Sequence, residues 1–171
     1  MIATTALVIG AAPTAVWPTV RNLAGWDEWQ DAFSIKVDGD QDPAPGVDIF
    51  ITTFFGFPFG TQRTHERIYK VDVDPDGAAM TIGWEVVALQ FGSLNFSFPK
   101  FLYSTERCIE LTREGDNTRV HNWILYKGLL WPVFKLLTNN VVSRQFAVWN
   151  EALVQKYGAL ASREGLPIGS G

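Results

Sequence analysis

The 171-residue chain is poor in the residues that build disulfides and metal sites, since it contains one cysteine, Cys108, and two histidines. A single cysteine cannot form a disulfide within the chain, and this set of ligands is too small for a structural zinc site. The sequence therefore predicts no metal site and no disulfide-stabilised scaffold. A cytoplasmic location is the default expectation.

Long apolar runs and a basic stripe are also missing. No stretch approaches the roughly 18 to 20 consecutive apolar residues of a membrane-spanning helix. The apolar start of the chain lacks the basic region of a signal peptide and is interrupted by Thr4 and Thr5. With a net charge of −4 and a pI of about 5.1, we expect neither an integral membrane segment nor nucleic acid as a partner.

Sequence motifs for common cofactors are absent as well. There is no phosphate-cradling glycine loop, no dinucleotide fingerprint and no nucleophile elbow. We therefore expect no cofactor, and any chemistry would come from side chains alone. The composition does not determine the oligomeric state, and a second copy of the chain, forming a homodimer, is one possible partner.

The sequence is rich in aromatic residues, with seven Trp and twelve Phe. At 47% apolar and 19% charged residues, it has the composition of one globular domain. The rings exceed what a core of this size needs, which predicts a lined cavity or a capped surface. We place one domain at 1–162 and a flexible tail of loop composition at 163–171.

The hydrophobic pattern predicts an α+β fold. A first strand at about 2–10 is followed by a helix starting at Pro13 and a short helix opened by Gly25. Six runs of strand character then follow, joined by short links that imply an antiparallel meander. From about 132 to 161 the apolar spacing becomes helical, which predicts one long C-terminal helix against the concave face of a seven-stranded sheet.

Several stretches in this order resemble the START-like (SRPBCC) superfamily, and in particular its polyketide cyclase/dehydratase-like branch. They are AAPTAVWPTVRNLAGWDEW, PGVDIFI, KVDVDPDGAAMTIGW, GDNTRVHNWILYKGLL and FAVWNEAL. The resemblance implies the helix-grip fold, in which a curved sheet wraps a long helix around a cavity. Asn122 and Ile124 depart from the family, which often has His and Glu at these positions, so inherited catalytic roles are in doubt.

Three aromatic segments are expected at one end of the sheet, because alternate links of a meander share an end. They are 54–60, 89–101 and 128–137. The resemblance implies that these loops gate a cavity. The alternative is that the rings cap the core and pack on one another.

A cationic row on the fourth strand is the most unusual pattern. Val71 and Val73 are apolar, so residues of the same parity should share their inward face; these are Tyr69, Arg67, His65 and Arg63. The same argument places Tyr103, Thr105, Arg107, Asn122 and Tyr126 on the inner face. The carboxylates Glu66, Glu85, Glu106 and Glu110 would then lie outside, so that inner arginines would need water or ligand oxygens as partners.

Other interpretations of this row remain open. His65 would serve equally well as a hydrogen-bonded histidine near solvent, and the arginines would reach water at the rim. A β-bulge would shift the register and turn the row outward.

The favoured hypothesis is a cofactor-free cyclase, dehydratase or isomerase acting on an aromatic or polyketide-like molecule. Its expected catalytic residues are His65, Arg67, Tyr69 and Arg107. The expected ligand-binding residues are Phe55, Phe57, Phe59, Trp84, Phe91, Phe98, Tyr103, Asn122, Tyr126, Phe134, Val142, Phe146 and Trp149. The alternatives are a non-catalytic carrier or sensor of a hydrophobic ligand, and an aromatic rim that docks a partner protein.

Overall fold

The structure, a computed structural model, describes residues 2–56, 60–91 and 94–158. Across these ranges the strands are β1 (Ile2–Ile9), β2 (Ser34–Val37), β3 (Asp48–Gly56), β4 (Gly60–Val73), β5 (Ala79–Phe91), β6 (Leu94–Phe96), β7 (Ser104–Glu114) and β8 (Asn117–Lys127). The helices are α1 (Pro13–Arg21) and α2 (Trp131–Tyr157), with short 3₁₀ segments at Leu23–Glu28 and Asp38–Asp40.

The strands form one antiparallel sheet in the order β1-β8-β7-β5-β4-β3-β2. The predicted α+β helix-grip arrangement is confirmed, with one addition. The segment between β5 and β7, expected to be a link, contains the short strand β6, which pairs with the end of β5. No described helix has the length and apolarity needed to span a bilayer.

The closed end of the sheet is filled by indole rings. Trp26 lies between Trp84 and Trp149, with ring centroids 6.2 and 5.6 Å apart, and all three are fully buried. Aromatic pairs at these distances add to the free energy gained by burying their surface. This cluster joins the short helical segment before β2, the sheet and the C-terminal half of α2.

The two halves of helix α2 differ in how deeply their apolar side chains are buried. Its C-terminal half buries Phe146, Trp149 and Leu153 against the sheet. In its N-terminal half Leu136 is 84% exposed and Leu137 is 49% exposed. The apolar arc of the helix is therefore only partly covered by the sheet, and a cavity lies beneath its N-terminal half.

Two irregularities in the β4–β5 pairing decide which side chains face inward. Ile68 pairs with Trp84 but Lys70 pairs with Gly83, so Tyr69 is an extra residue without a partner. On β5 the pairing passes over Val87 in the same way. Each extra residue exchanges the faces of the side chains beyond it.

Gly128 fixes the corner between β8 and α2. Its φ is +89°, and a Cβ there would lie 2.5 Å from the Leu102 carbonyl carbon. Backbone hydrogen bonds run from Leu129 to Phe101 and from Leu130 to Leu102, at 2.9 and 2.8 Å. The corner thus holds the start of α2 against the segment before β7, and leaves no room for a side chain.

We predict that Gly128→Ala destabilises the protein more than Gly115→Ala does. Gly115 also has a positive φ, +64°, but a Cβ there meets nothing within 4 Å. Alanine at position 115 should cost about 1 kcal/mol of backbone strain. At position 128 the backbone clash should add about 2 kcal/mol. Urea denaturation measures both losses, and equal losses would contradict a clash at the corner.

Candidate functional site

A cavity of about 160 Å³ lies between the inner face of the sheet and the N-terminal half of α2. Apolar side chains form much of its wall, among them Phe33, Ile51, Leu89, Phe134 and Phe146. Three charged groups, Arg63, Glu66 and Arg107, line it as well. The site is therefore an apolar chamber with a few polar groups, which is the usual character of a small-molecule pocket.

The predicted ligand-binding residues divide into three groups. At the cavity wall lie Tyr103, Tyr126, Phe134, Val142 and Phe146. Trp84, Asn122 and Trp149 are fully buried in the core instead, and Phe98 packs edge-on against Tyr103 and Phe134. Phe55 and Phe91 fall in β3 and β5, but their side chains lie outside what the structure describes, as do Phe57 and Phe59 altogether.

Arg107 is the charged residue most deeply placed at this wall. The side chain comes from β7 and is only 6% exposed. Its guanidinium carbon lies 4.2 Å from the ring centre of Phe33 and 4.9 Å from that of Phe146. Its Nε and Nη2 are buried and have no hydrogen-bond partner among the described residues. Burial lowers the pKa of Arg107 to about 10, and the group remains a cation near neutral pH.

Glu66 brings a carboxyl group to the same cavity from β4. The Thr64 hydroxyl donates a hydrogen bond of 2.6 Å to its Oε1. Burial raises the pKa of Glu66, while the hydrogen bond from Thr64 and the charge of Arg107 oppose that change. Among the described residues no ion pair within 4 Å involves Glu66 or Arg107. The two groups therefore share a cavity without neutralising each other by contact.

Of the four polar residues expected to face inward on β4, Arg63 lines the cavity and the other three do not. His65 and Arg67 lie on the outer face, where both contact Asp48 of β3. Arg67 donates two hydrogen bonds to the Asp48 carboxylate, at 2.6 and 3.1 Å. His65 Nε2 is 3.3 Å from the same carboxylate, and the His65 ring stacks on Phe50. The pKa of Asp48 is lowered, chiefly by the hydrogen bond from Arg67.

Tyr69 also lies outside, against Gly83, and is 39% exposed. The physical reason is the extra residue at Tyr69, which separates the parity of Val71 from that of the rest of β4. Glu66, expected outside, is therefore inside. Val73, expected to face the core, is 52% exposed.

Hydroxyl groups supply further polarity near α2. Thr138 donates a hydrogen bond to the Phe134 carbonyl at 2.8 Å, so its oxygen can accept one from the Tyr126 hydroxyl, 3.3 Å away. Burial raises the pKa of both Tyr103 and Tyr126. Both phenols therefore remain protonated near neutral pH, and the Tyr103 hydroxyl can donate a hydrogen bond to a guest.

Sequence reasoning missed Glu66, Thr64, Gln62, Thr138 and Gln145, all of which line the cavity. A signal for the first three was present. Ile68 is apolar at an even position, whereas Val71 and Val73 are apolar at odd positions, and one regular strand cannot bury both sets. This conflict marks a bulge between them. Thr138 and Gln145 carried no comparable signal, because they are polar residues within a helix.

The sequence matches the family described as "Polyketide cyclase / dehydrase and lipid transport" over residues 2–158. The chain belongs to this family. No curated protein sequence matches it. The expectation of a START-like superfamily member is thereby confirmed.

Solved structures share the fold at low sequence identity. A hypothetical protein from Helicobacter pylori is 12% identical with a TM-score of 0.69, covering 92% of this chain and 88% of its own. The Zhui aromatase/cyclase from a Streptomyces species is 9% identical with a TM-score of 0.56, covering 95% and 99%. Norcoclaurine synthase from Thalictrum flavum, in complex with dopamine and hydroxybenzaldehyde, is 13% identical with a TM-score of 0.60, covering 95% and 89%. At these identities the likeness shows the fold alone.

We predict that Glu66→Gln stabilises the protein at neutral pH and has little effect below pH 4.5. A carboxyl whose folded pKa is raised favours folding at low pH, and loses that contribution as pH rises from its unfolded pKa through its folded pKa. Glutamine does not ionise, so the variant does not lose this contribution to stability as the pH rises. The free energy of unfolding from urea titrations between pH 4 and 8 measures it.

Asp48→Asn is the matched control, because the pKa of Asp48 is lowered. It should destabilise the protein near neutral pH, with the difference shrinking as pH falls through the folded pKa. A parallel pH profile for the two variants would contradict the burial of Glu66.

Proposed function

We propose that the chain binds a hydrophobic small molecule bearing a carbonyl or acidic oxygen in this cavity, and converts it by acid–base chemistry of its own side chains. The observation that carries the proposal is Arg107, a buried guanidinium at the cavity wall whose Nε and Nη2 find no partner in the part of the chain that the structure describes. A buried cation without an acceptor costs free energy. A guest oxygen would recover part of that cost.

Arg107 would act on the oxygen where negative charge develops. The rings of Phe33 and Phe146 lie 4.2 and 4.9 Å from its guanidinium carbon, and these contacts help to hold it in place before a substrate arrives. Hydrogen bonds from a positioned cation strengthen as a carbonyl oxygen becomes an enolate oxygen. The same interaction in a low-dielectric site is stronger than in water.

Glu66 would move the proton. Its ionised carboxylate would take a proton from the carbon next to the substrate carbonyl, and the electron pair of that C–H bond would form an enolate held at Arg107. Returning the proton to another carbon gives isomerisation, whereas giving it to a β-hydroxyl that leaves as water gives dehydration. A buried carboxyl with a raised pKa suits both directions of transfer. The words "cyclase / dehydrase" in the family description agree with such steps.

A carrier without catalysis is the second candidate, favoured by the surface beside the cavity. Phe101, Leu129 and Leu136 are 68%, 74% and 84% exposed, and Leu137, 49% exposed, also lines the cavity. Exposed apolar side chains next to a pocket suit uptake of a ligand from an apolar donor. The family description also includes lipid transport.

We predict that the protein accelerates hydrogen–deuterium exchange at the carbon acids of phenylacetone, a single-ring ketone, and that Glu66→Gln abolishes this acceleration. Loss of a positioned base should lower the rate by about 100-fold or more. Proton NMR in D₂O follows the exchange directly.

Glu85→Gln is the matched control, because Glu85 pairs with Lys100 on the outer face. It should exchange phenylacetone at the wild-type rate. If wild-type protein binds phenylacetone without accelerating exchange, the acid–base proposal fails and the carrier stands. If the two variants behave alike, Glu66 is not the base.

A further inference from the structure

We infer that the ligand is a single six-membered ring carrying a planar acidic group, such as a carboxylate, which Arg107 binds in the plane of its guanidinium. This inference rests on the proposed function and narrows its ligand class. It depends on three observations: the size of the cavity, the ring contacts of Arg107, and the way the same chain uses Arg67.

The size of the cavity sets the number of rings. Its volume is about 160 Å³, and an apolar protein cavity of about 150 Å³ takes up benzene. One ring with a short substituent therefore fits. A fused two- or three-ring system would have to displace wall residues such as Phe134 or Leu89, and Leu89 is buried.

The ring contacts of Arg107 set the direction of approach. Phe33 lies 4.2 Å from the guanidinium carbon and Phe146 lies 4.9 Å from it, each measured to the ring centre. With these rings against the guanidinium, its open donors among the described residues are Nε and Nη2, and a partner would bind along the edge that these two nitrogens form. Its N–H donors lie in one plane, which matches the oxygens of a planar group.

Arg67 shows how the same edge of a guanidinium binds a carboxylate elsewhere in this chain. Its Nε and Nη2 donate to the two oxygens of Asp48 at 2.6 and 3.1 Å. The same two nitrogens of Arg107 are the ones without a partner. Among the described residues no carboxylate oxygen lies within 4 Å of Arg107. A two-oxygen group on the guest completes the pattern.

Binding of four aromatic probes tests the inference by isothermal titration calorimetry at pH 7. Benzoate is the single-ring acid, benzamide its neutral counterpart, and 2-naphthoate and 9-anthroate add one and two fused rings. We expect benzoate to bind at least tenfold more tightly than any of the other three. The wild-type series decides the outcome even if a variant fails to fold.

Substitution of the two arginines separates the cavity from the surface. Arg107→Leu should erase the preference for benzoate over benzamide. Arg107→Lys keeps a cation but lacks the planar pair of donors, and should lose most of the preference. Arg67→Leu, the matched control on the outer face, should keep it.

Enlarging the cavity tests the size limit. Leu89→Ala removes a wall side chain and should tighten 2-naphthoate several-fold relative to benzoate. Leu111→Ala removes the same atoms from the fully buried core away from the cavity, and should leave the ratio unchanged. Thermal melts confirm that both variants are folded.

The outcomes distinguish this inference from the proposed function. If 9-anthroate binds as tightly as benzoate and needs Arg107, the single-ring limit is wrong while the proposed function stands. If benzamide binds as tightly as benzoate, the inference that the ligand carries an acidic group is wrong. If folded Arg107→Leu binds every probe as the wild type does, both the inference and the role of Arg107 in the proposed function fail.

Discussion

One residue without a pairing partner, Tyr69, determines which side chains of β4 meet the cavity. Side chains alternate strictly along a strand, so an extra residue exchanges inside for outside over everything beyond it. Because of this bulge, Glu66 and Thr64 line the cavity while His65 and Arg67 contact Asp48 outside. The bulge therefore brings the Glu66 carboxyl to a cavity wall that also carries Arg63 and Arg107, and it keeps His65 and Arg67 away from that wall.

The placement of Arg107 sets a conflict between stability and binding. Among the described residues two nitrogens of this buried arginine are unpaired, which is unfavourable, and the contacts with Phe33 and Phe146 offset part of its lost hydration. Glu66 is near enough to affect its pKa, yet forms no ion pair with it within 4 Å. The N–H donors of Arg107 therefore stay available to a ligand. In a structural ion pair the partner carboxylate would occupy them.

The two arginines of the original pattern illustrate this difference. Arg67 is 48% exposed, and its Nε and Nη2 both bind the Asp48 carboxylate, so it ties β3 to β4. Arg107 is 6% exposed and has two unoccupied nitrogens. Both are arginines that strand alternation alone placed on the inner face of the sheet. Only the packing around each decides that one contributes to the sheet and the other is available to a guest.

The sequence by itself determined the fold, because alternation of apolar residues, turn residues and one long helical arc are local properties that repeat over many residues. It also placed Arg107, Tyr103 and Tyr126 on the inner face. This succeeded because β7 and β8 pair without a bulge, so the alternation of side chains between the two faces is unbroken along both strands. Only the tertiary structure decided the inward row of β4, the ring contacts of Arg107 and the approach of Thr138 to Tyr126. The parity conflict between Ile68 and Val71 indicates a bulge on β4 but not which residue is extra, and the other two depend on contacts between elements far apart in the chain.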